Sequence, residues 1–215
     1  MKKLIIYILL FAVSFSYSQK KELRNANKFF VSGEYASAID LLDSSRETFD
    51  SSDNKIKSQA MLLYGKIHTA MQDFDLAIQA FDMSRNLGIS VQLLDPEINK
   101  LETAIITSAV GDNETEDFAS AAKKLKMVYD LKKDVNQEYL YYAASSAVNS
   151  QDYSLALQYY EELRDIKYEG IETKFYITEV SSGNEIEINS ETEFKLLQKS
   201  KDYSNPREEE TESKF

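Results

Sequence analysis

Apolar residues recur at helical spacing over most of this chain, and one short phrase punctuates them. An acidic residue, an aromatic, two variable positions and an alanine occur together four times, as Glu34-Tyr35-x-x-Ala38, Asp73-Phe74-x-x-Ala77, Asp117-Phe118-x-x-Ala121 and Asp152-Tyr153-x-x-Ala156. The alanines lie 39, 44 and 35 residues apart, the period of helix pairs that stack one on the next. A turn of Gly or Gln and an acid precedes the phrase. Apolar residues at helical spacing follow it, as in Phe74, Ala77, Ile78 and Phe81, so each phrase is expected to open the second helix of a pair. Twelve residues before three of the alanines stands another small residue, Ala26, Gly65 and Ala144. Two helices approach closely only where small side chains face each other, so these pairs mark the predicted seams.

The third phrase is less regular. Counting back twelve from Ala121 reaches Ala109, but Gly111 to Glu116 then reads as a loop. The pattern predicts a helix from an Asp95 N-cap, with Pro96 in its first turn, to about Val110, then an enlarged acidic turn. After Tyr168 the period changes to two. Ile171, Thr173, Phe175 and Ile177 alternate with polar or charged neighbours, Ser181 to Asn184 is a turn, and Glu185 to Ile188 alternates again. This predicts a two-stranded hairpin that needs a neighbour to lie on. Ser190 with Glu193 has the form of a capping box opening a short helix with Phe194, Leu196 and Leu197, which fades by Asn205-Pro206. The expected divisions are 1–18 as a leader, 19–168 as four helix pairs and 169–204 as hairpin plus helix. Residues 205–215 read as a charged tail or the start of a further region.

The helical part resembles the tetratricopeptide repeat family, whose pattern is W-x-x-L-G-x-x-Y, then A-x-x-x-F, then P. The matching residues are Met61, Tyr64, Gly65, His68, Ala77 and Phe81 in the second unit. They are Glu22, Asn25, Ala26, Phe29, Ala38 and Leu42 in the first, and Leu140, Ala143, Ala144, Ala147, Ala156 and Tyr160 in the fourth. The closing proline is absent from all of them. The resemblance implies an all-α solenoid of helical hairpins whose first helices line a concave groove for partner peptides or proteins. Carried over residue by residue, the groove positions are Leu23, Asn27 and Phe30, then Leu62, Lys66 and Thr69, then Tyr141, Ser145 and Asn149. The family's carboxylate-binding variant has a lysine one turn before the Asn27 position. Here that residue is Leu23.

Composition narrows the setting. Lys2 and Lys3 precede an apolar run over Leu4 to Val13, and Ser16-Tyr17-Ser18 offers small residues for cleavage before Gln19, so residues 1–18 read as a signal peptide. The run is shorter than the roughly 20 residues of a spanning helix. Export into the bacterial envelope or periplasm is expected, with any membrane contact made through a partner or an uncleaved leader. With no cysteine, disulfides and thiolate metal sites are excluded. The chain has 25 Lys and Arg against 36 Asp and Glu, a balance that opposes phosphate binding, so no nucleic acid partner is expected. Lys123, Lys124, Lys126, Lys132 and Lys133 read as a solvated helix face.

Catalysis has little to draw on. His68 is the only histidine and falls where the family places a packing aromatic, and no carboxylate pair is set in apolar surroundings. No enzyme, cofactor or metal is expected. The acidic turn 112–117 lacks the glycine and the closing glutamate of a calcium loop. The fourth unit concentrates tyrosine, at 139, 141, 142, 153, 159, 160 and 168. Exposed tyrosines suit protein interfaces and sugar rings, so the alternative expectation is a binder of cell-wall glycan.

Overall fold

A computed structural model describes residues 19–213; the expected signal peptide lies outside them. The chain is mostly helical, with a small antiparallel sheet near its end. Helices run over 19–31 (α1), Tyr35–Ser44 (α2), Arg46–Asp50 (α3), Asn54–Met71 (α4), Phe74–Asn86 (α5), Val91–Glu114 (α6), Phe118–Leu131 (α7), Gln137–Asn149 (α8) and Tyr153–Asp165 (α9). Strands β1 (Thr173–Glu179) and β2 (Glu185–Ile188), helix α10 (Glu191–Leu197) and strand β3 (Tyr203–Glu210) complete it. Two compact units divide at residues 152 and 153, so α1–α8 form the first and α9 with the sheet the second.

One turn is built four times. Gly33, Gln72, Glu116 and Gln151 all have positive φ, between 60° and 80°, and each is followed by the acid of the recurring phrase. The amide of that acid donates back five residues every time, Glu34 to Phe29, Asp73 to His68, Asp117 to Asp112 and Asp152 to Ala147, at 2.8–3.0 Å. This left-handed closure satisfies the last carbonyls of one helix and starts the next without a loop. Because the turn is two residues long, the paired helices α4 and α5, and α6 and α7, pack along each other.

That turn corrects the reading of the third unit. Helix α6 begins at Val91 after Ser90, takes Pro96 inside it, and runs through the supposed acidic loop to Glu114. Asp112 is held by Lys124 at 2.6 Å, Asn113 accepts from the Ser146 hydroxyl at 3.2 Å, and the Asp117 side chain caps α7 through the Ser120 amide. These tertiary partners outweigh the weak helix propensity of Gly111-Asp112-Asn113. Ala109 is thereby fully buried, as is Ala121, so the spacing of twelve holds in all four phrases. Ala26, Ala38, Gly65, Ala77, Ala144 and Ala156 are buried too. Gly65 shows why size matters, since a Cβ there would lie 2.4 Å from the Phe81 ring.

Helix α4 is the hub of the first unit. Ile56, Ala60, Leu63 and Ile67 face a core shared with Ala26, Ala38, Leu42 and Phe49. Toward α5 the close contact is Gly65 on Phe81, locked by the buried Ser84 hydroxyl donating to the Ser58 carbonyl at 2.7 Å. A second core joins Phe74, Ala77 and Phe81 to Leu94, Ile98, Leu101 and Ile105 of α6 and Val128 of α7.

In the second unit the strand order is β2-β1-β3, with Phe175 opposite Ile188 and Ile177 opposite Ile186. Phe194 of α10 closes this apolar face with Ile177 and Ile188, and the Ser190 side chain caps α10 as expected. The expected hairpin is thus a three-stranded sheet, and α10 stops at Leu197 rather than near Asn205. Residues read as a charged tail form β3, which pairs antiparallel with β1. Arg207 explains it: its guanidinium lies 4.2 Å over the Tyr176 ring and reaches Glu185 at 3.0 Å and Glu209. Among the described residues no helix is long and apolar enough to cross a membrane.

Candidate functional site

Residues three and four apart on a helix share a face, and this rule sorts the surface of α4. Gln59, Leu62 and Lys66 point one way and meet Lys20, Leu23, Arg24 and Asn27 of α1 across an open groove of about 430 Å³. Four of the nine positions expected from the sequence, Leu23, Asn27, Leu62 and Lys66, are brought together here. Phe30 adjoins them, with the Lys66 ammonium 5.2 Å from its ring centroid. Lys66 also approaches Glu97 of α6 at 3.8 Å, so it is oriented by both neighbouring helices.

The groove is chemically polarised. Lys20, Arg24 and Lys66 bring three cations, Asn27 and Gln59 bring amides, and the leucines supply apolar floor. None of its described lining residues is a carboxylate, in a chain of formal charge −11. Around α7 the basic side chains stand beside carboxylates: Lys124 pairs with Asp112, Lys126 and Lys133 with Asp130, and Lys132 with Glu102. Four of the five lysines expected to form a solvated face are thus ion-paired.

The other expected positions stand apart from this groove. Thr69 spends its hydroxyl on the Gly65 carbonyl at 2.7 Å. Tyr141 packs edge-on against Tyr142 with centroids 5.9 Å apart, Ser145 is half-buried and Asn149 is exposed on α8. The Ala109–Ala121 register gives the third unit its own set, Ile106, Val110 and Asn113, which the loop reading hid. Lys20, Arg24 and Gln59 were also missed, although each lies three residues before an expected position and the same-face rule finds them.

The tyrosines of α8 form a small cluster. Tyr139 and Tyr142 meet edge to face at 6.1 Å, and burial, followed by Glu138 and Glu102, pushes the Tyr139 hydroxyl above its ordinary range. His68 is half-buried, stacked on Tyr64 at 6.2 Å, with Nδ1 3.5 Å from an Asp73 carboxylate oxygen. Among the described residues no group of three or more metal-ligating side chains comes together.

Comparison with protein-family models and with curated proteins gives no match for this chain.

Proposed function

We propose that the protein is a non-catalytic scaffold of the bacterial envelope whose helix pairs stack as a tetratricopeptide-like solenoid and hold a partner protein or peptide in the α1–α4 groove. The observation that carries this reading is the convergence of Leu23, Asn27, Leu62 and Lys66 on one open surface. An extended segment presents side chains and unpaired backbone groups in alternation; leucines and amides answer these two needs. The cations Lys20, Arg24 and Lys66 favour a segment bearing Asp or Glu and speed its encounter. The recurring turn and the buried small-residue pairs Ala26 with Ala38, Gly65 with Ala77 and Ala109 with Ala121 support the stacking of helix pairs within the first unit.

The test is recovery of envelope proteins on immobilised residues 19–215, with and without Asn27→Glu. Asn27 is exposed, so the substitution places a repelling charge in the groove without disturbing the core. A discrete partner retained by the parent chain and lost by the variant is expected. Equal recovery of every bound protein would remove the groove from the account. The second reading, a glycan binder, is favoured by the exposure of Tyr142 and Tyr153; retention on purified wall polymer, abolished by Tyr142→Ala, is the result it requires.

A further inference from the structure

The opposite face of α4 borders a second cavity, separate from the groove. Its floor is Met61, Tyr64 and His68, which follow the same three-four spacing half a turn away from Leu62 and Lys66. One wall is Phe49 of α3, and the other is α5, whose Leu76 and Met83 remain 47% and 52% exposed. The volume of this open cleft is about 230 Å³, far beyond the roughly 10–15 Å³ that one buried water occupies. The break between α2 and α3 at Ser45 sets this wall in two short pieces. Unlike the groove, the cavity is walled chiefly by thioether, aromatic and aliphatic groups.

Charge at the rim has the reverse sign of the groove. Asp43 and Asp50 flank the opening, against the single guanidinium of Arg46, and Asp73 stands behind the imidazole. The Tyr64 hydroxyl donates to Asp43, which fixes both ring and carboxylate. Burial and that carboxylate together raise the Tyr64 hydroxyl well above the ordinary tyrosine range, so the ring stays neutral. Tyr64 and His68 stack nearly parallel, at 10°, and aromatic faces attract a positive charge.

We propose that this cleft binds a small organic cation, an ammonium group carried on an apolar body. The body removes Leu76 and Met83 from water, while the ammonium sits between the aromatic floor and the carboxylates of Asp43 and Asp50. An anion of the same shape meets those carboxylates and is rejected. Arg46 occupies the same field and competes with the ligand.

The test is titration of residues 19–215, labelled at the methionine methyl groups, with 3-phenylpropylammonium and, in parallel, 3-phenylpropionate. Saturable shifts of Met61 and Met83 are expected with the ammonium, and binding of the propionate is expected to be at least about tenfold weaker. Asp50→Asn should weaken the ammonium by about tenfold and Arg46→Gln should tighten it; both residues are exposed, so folding is not at stake. No saturable shift with the ammonium, equal or tighter binding of the propionate, or indifference to both substitutions overturns the proposal. A basic peptide that shifts Met61 and Met83 while the ammonium does not also overturns it.

Discussion

Replacing Gly65 by alanine tests the seam on which the helix pairs depend. In an exposed helix interior this change stabilises by about 1 kcal/mol, because alanine loses less backbone freedom. At position 65 the new Cβ lands 2.4 Å from two carbons of the Phe81 ring and 2.8 Å from a third, where separations under 3 Å force something to move. Phe81 is 1% exposed, so its ring has no solvent to swing into, and overpacking of this kind costs about 1–3 kcal/mol. The two effects oppose, and the net expectation is a loss of roughly 0–2 kcal/mol. Their signs separate in a double-mutant cycle. On a Phe81→Leu background the clash is relieved, and Gly65→Ala should become neutral or stabilising by up to about 1 kcal/mol. Gly111→Ala is the control, since nothing lies within 4 Å of its added Cβ. Urea midpoints followed by helical circular dichroism read all the variants. Stabilisation by Gly65→Ala in the parent chain, equal to that in the Phe81→Leu background, refutes the packing argument.

Three further outcomes are expected. Asn136 is buried and donates to the Val128 carbonyl at 2.8 Å across the α7–α8 turn. Asn136→Ala strands that carbonyl, and its cost of about 1–3 kcal/mol should lower the melting temperature by roughly 2–4 °C per kcal/mol. The raised Tyr64 hydroxyl contributes stability that is complete below the unfolded tyrosine range and is lost as pH rises through the folded value. Urea midpoints compared at pH 8 and above about pH 10 should fall further for the parent chain than for Tyr64→Phe. Asp117 is lowered chiefly by the Ser120 side chain and next by the Ser120 amide, so its contribution is present at neutral pH and is lost as pH falls through its depressed folded value. A carboxyl carbon titration should place its midpoint below that of an ordinary aspartate, and Ser120→Pro, which deletes both the hydroxyl and the amide donor, should return it upward.

Much of the helical pattern was legible because one local device repeats. The acid-aromatic-alanine phrase fixes a turn and a seam together, and both are short-range, so Ala38, Ala77 and Ala156 are buried where the spacing put them. Helix α6 was misjudged where local and tertiary preferences conflict. Gly111-Asp112-Asn113 is loop chemistry in isolation, and its helical state depends on Lys124 and Ser146, 12 and 33 residues away from their partners. Strand β3 was missed for a related reason, because Glu208-Glu209-Glu210 carries no apolar alternation and pairs through Arg207 with Tyr176 and Glu185. Of the expected groove positions, Leu23 and Asn27 of α1 and Leu62 and Lys66 of α4 converge because these parts of the two helices line one groove. Tyr141, Ser145 and Asn149 share a helix face in sequence, but which neighbour that face meets is decided by packing beyond the repeat pattern.

The most direct test of the groove's role is site-specific photocrosslinking in intact cells, with the reactive group at Leu62 and, separately, at exposed Ala36 on α2. The account expects one discrete adduct from position 62, absent from position 36 and lost when Lys66→Glu reverses the groove's charge. Identical adducts from both positions, or an adduct at 62 that survives Lys66→Glu unchanged, would contradict it.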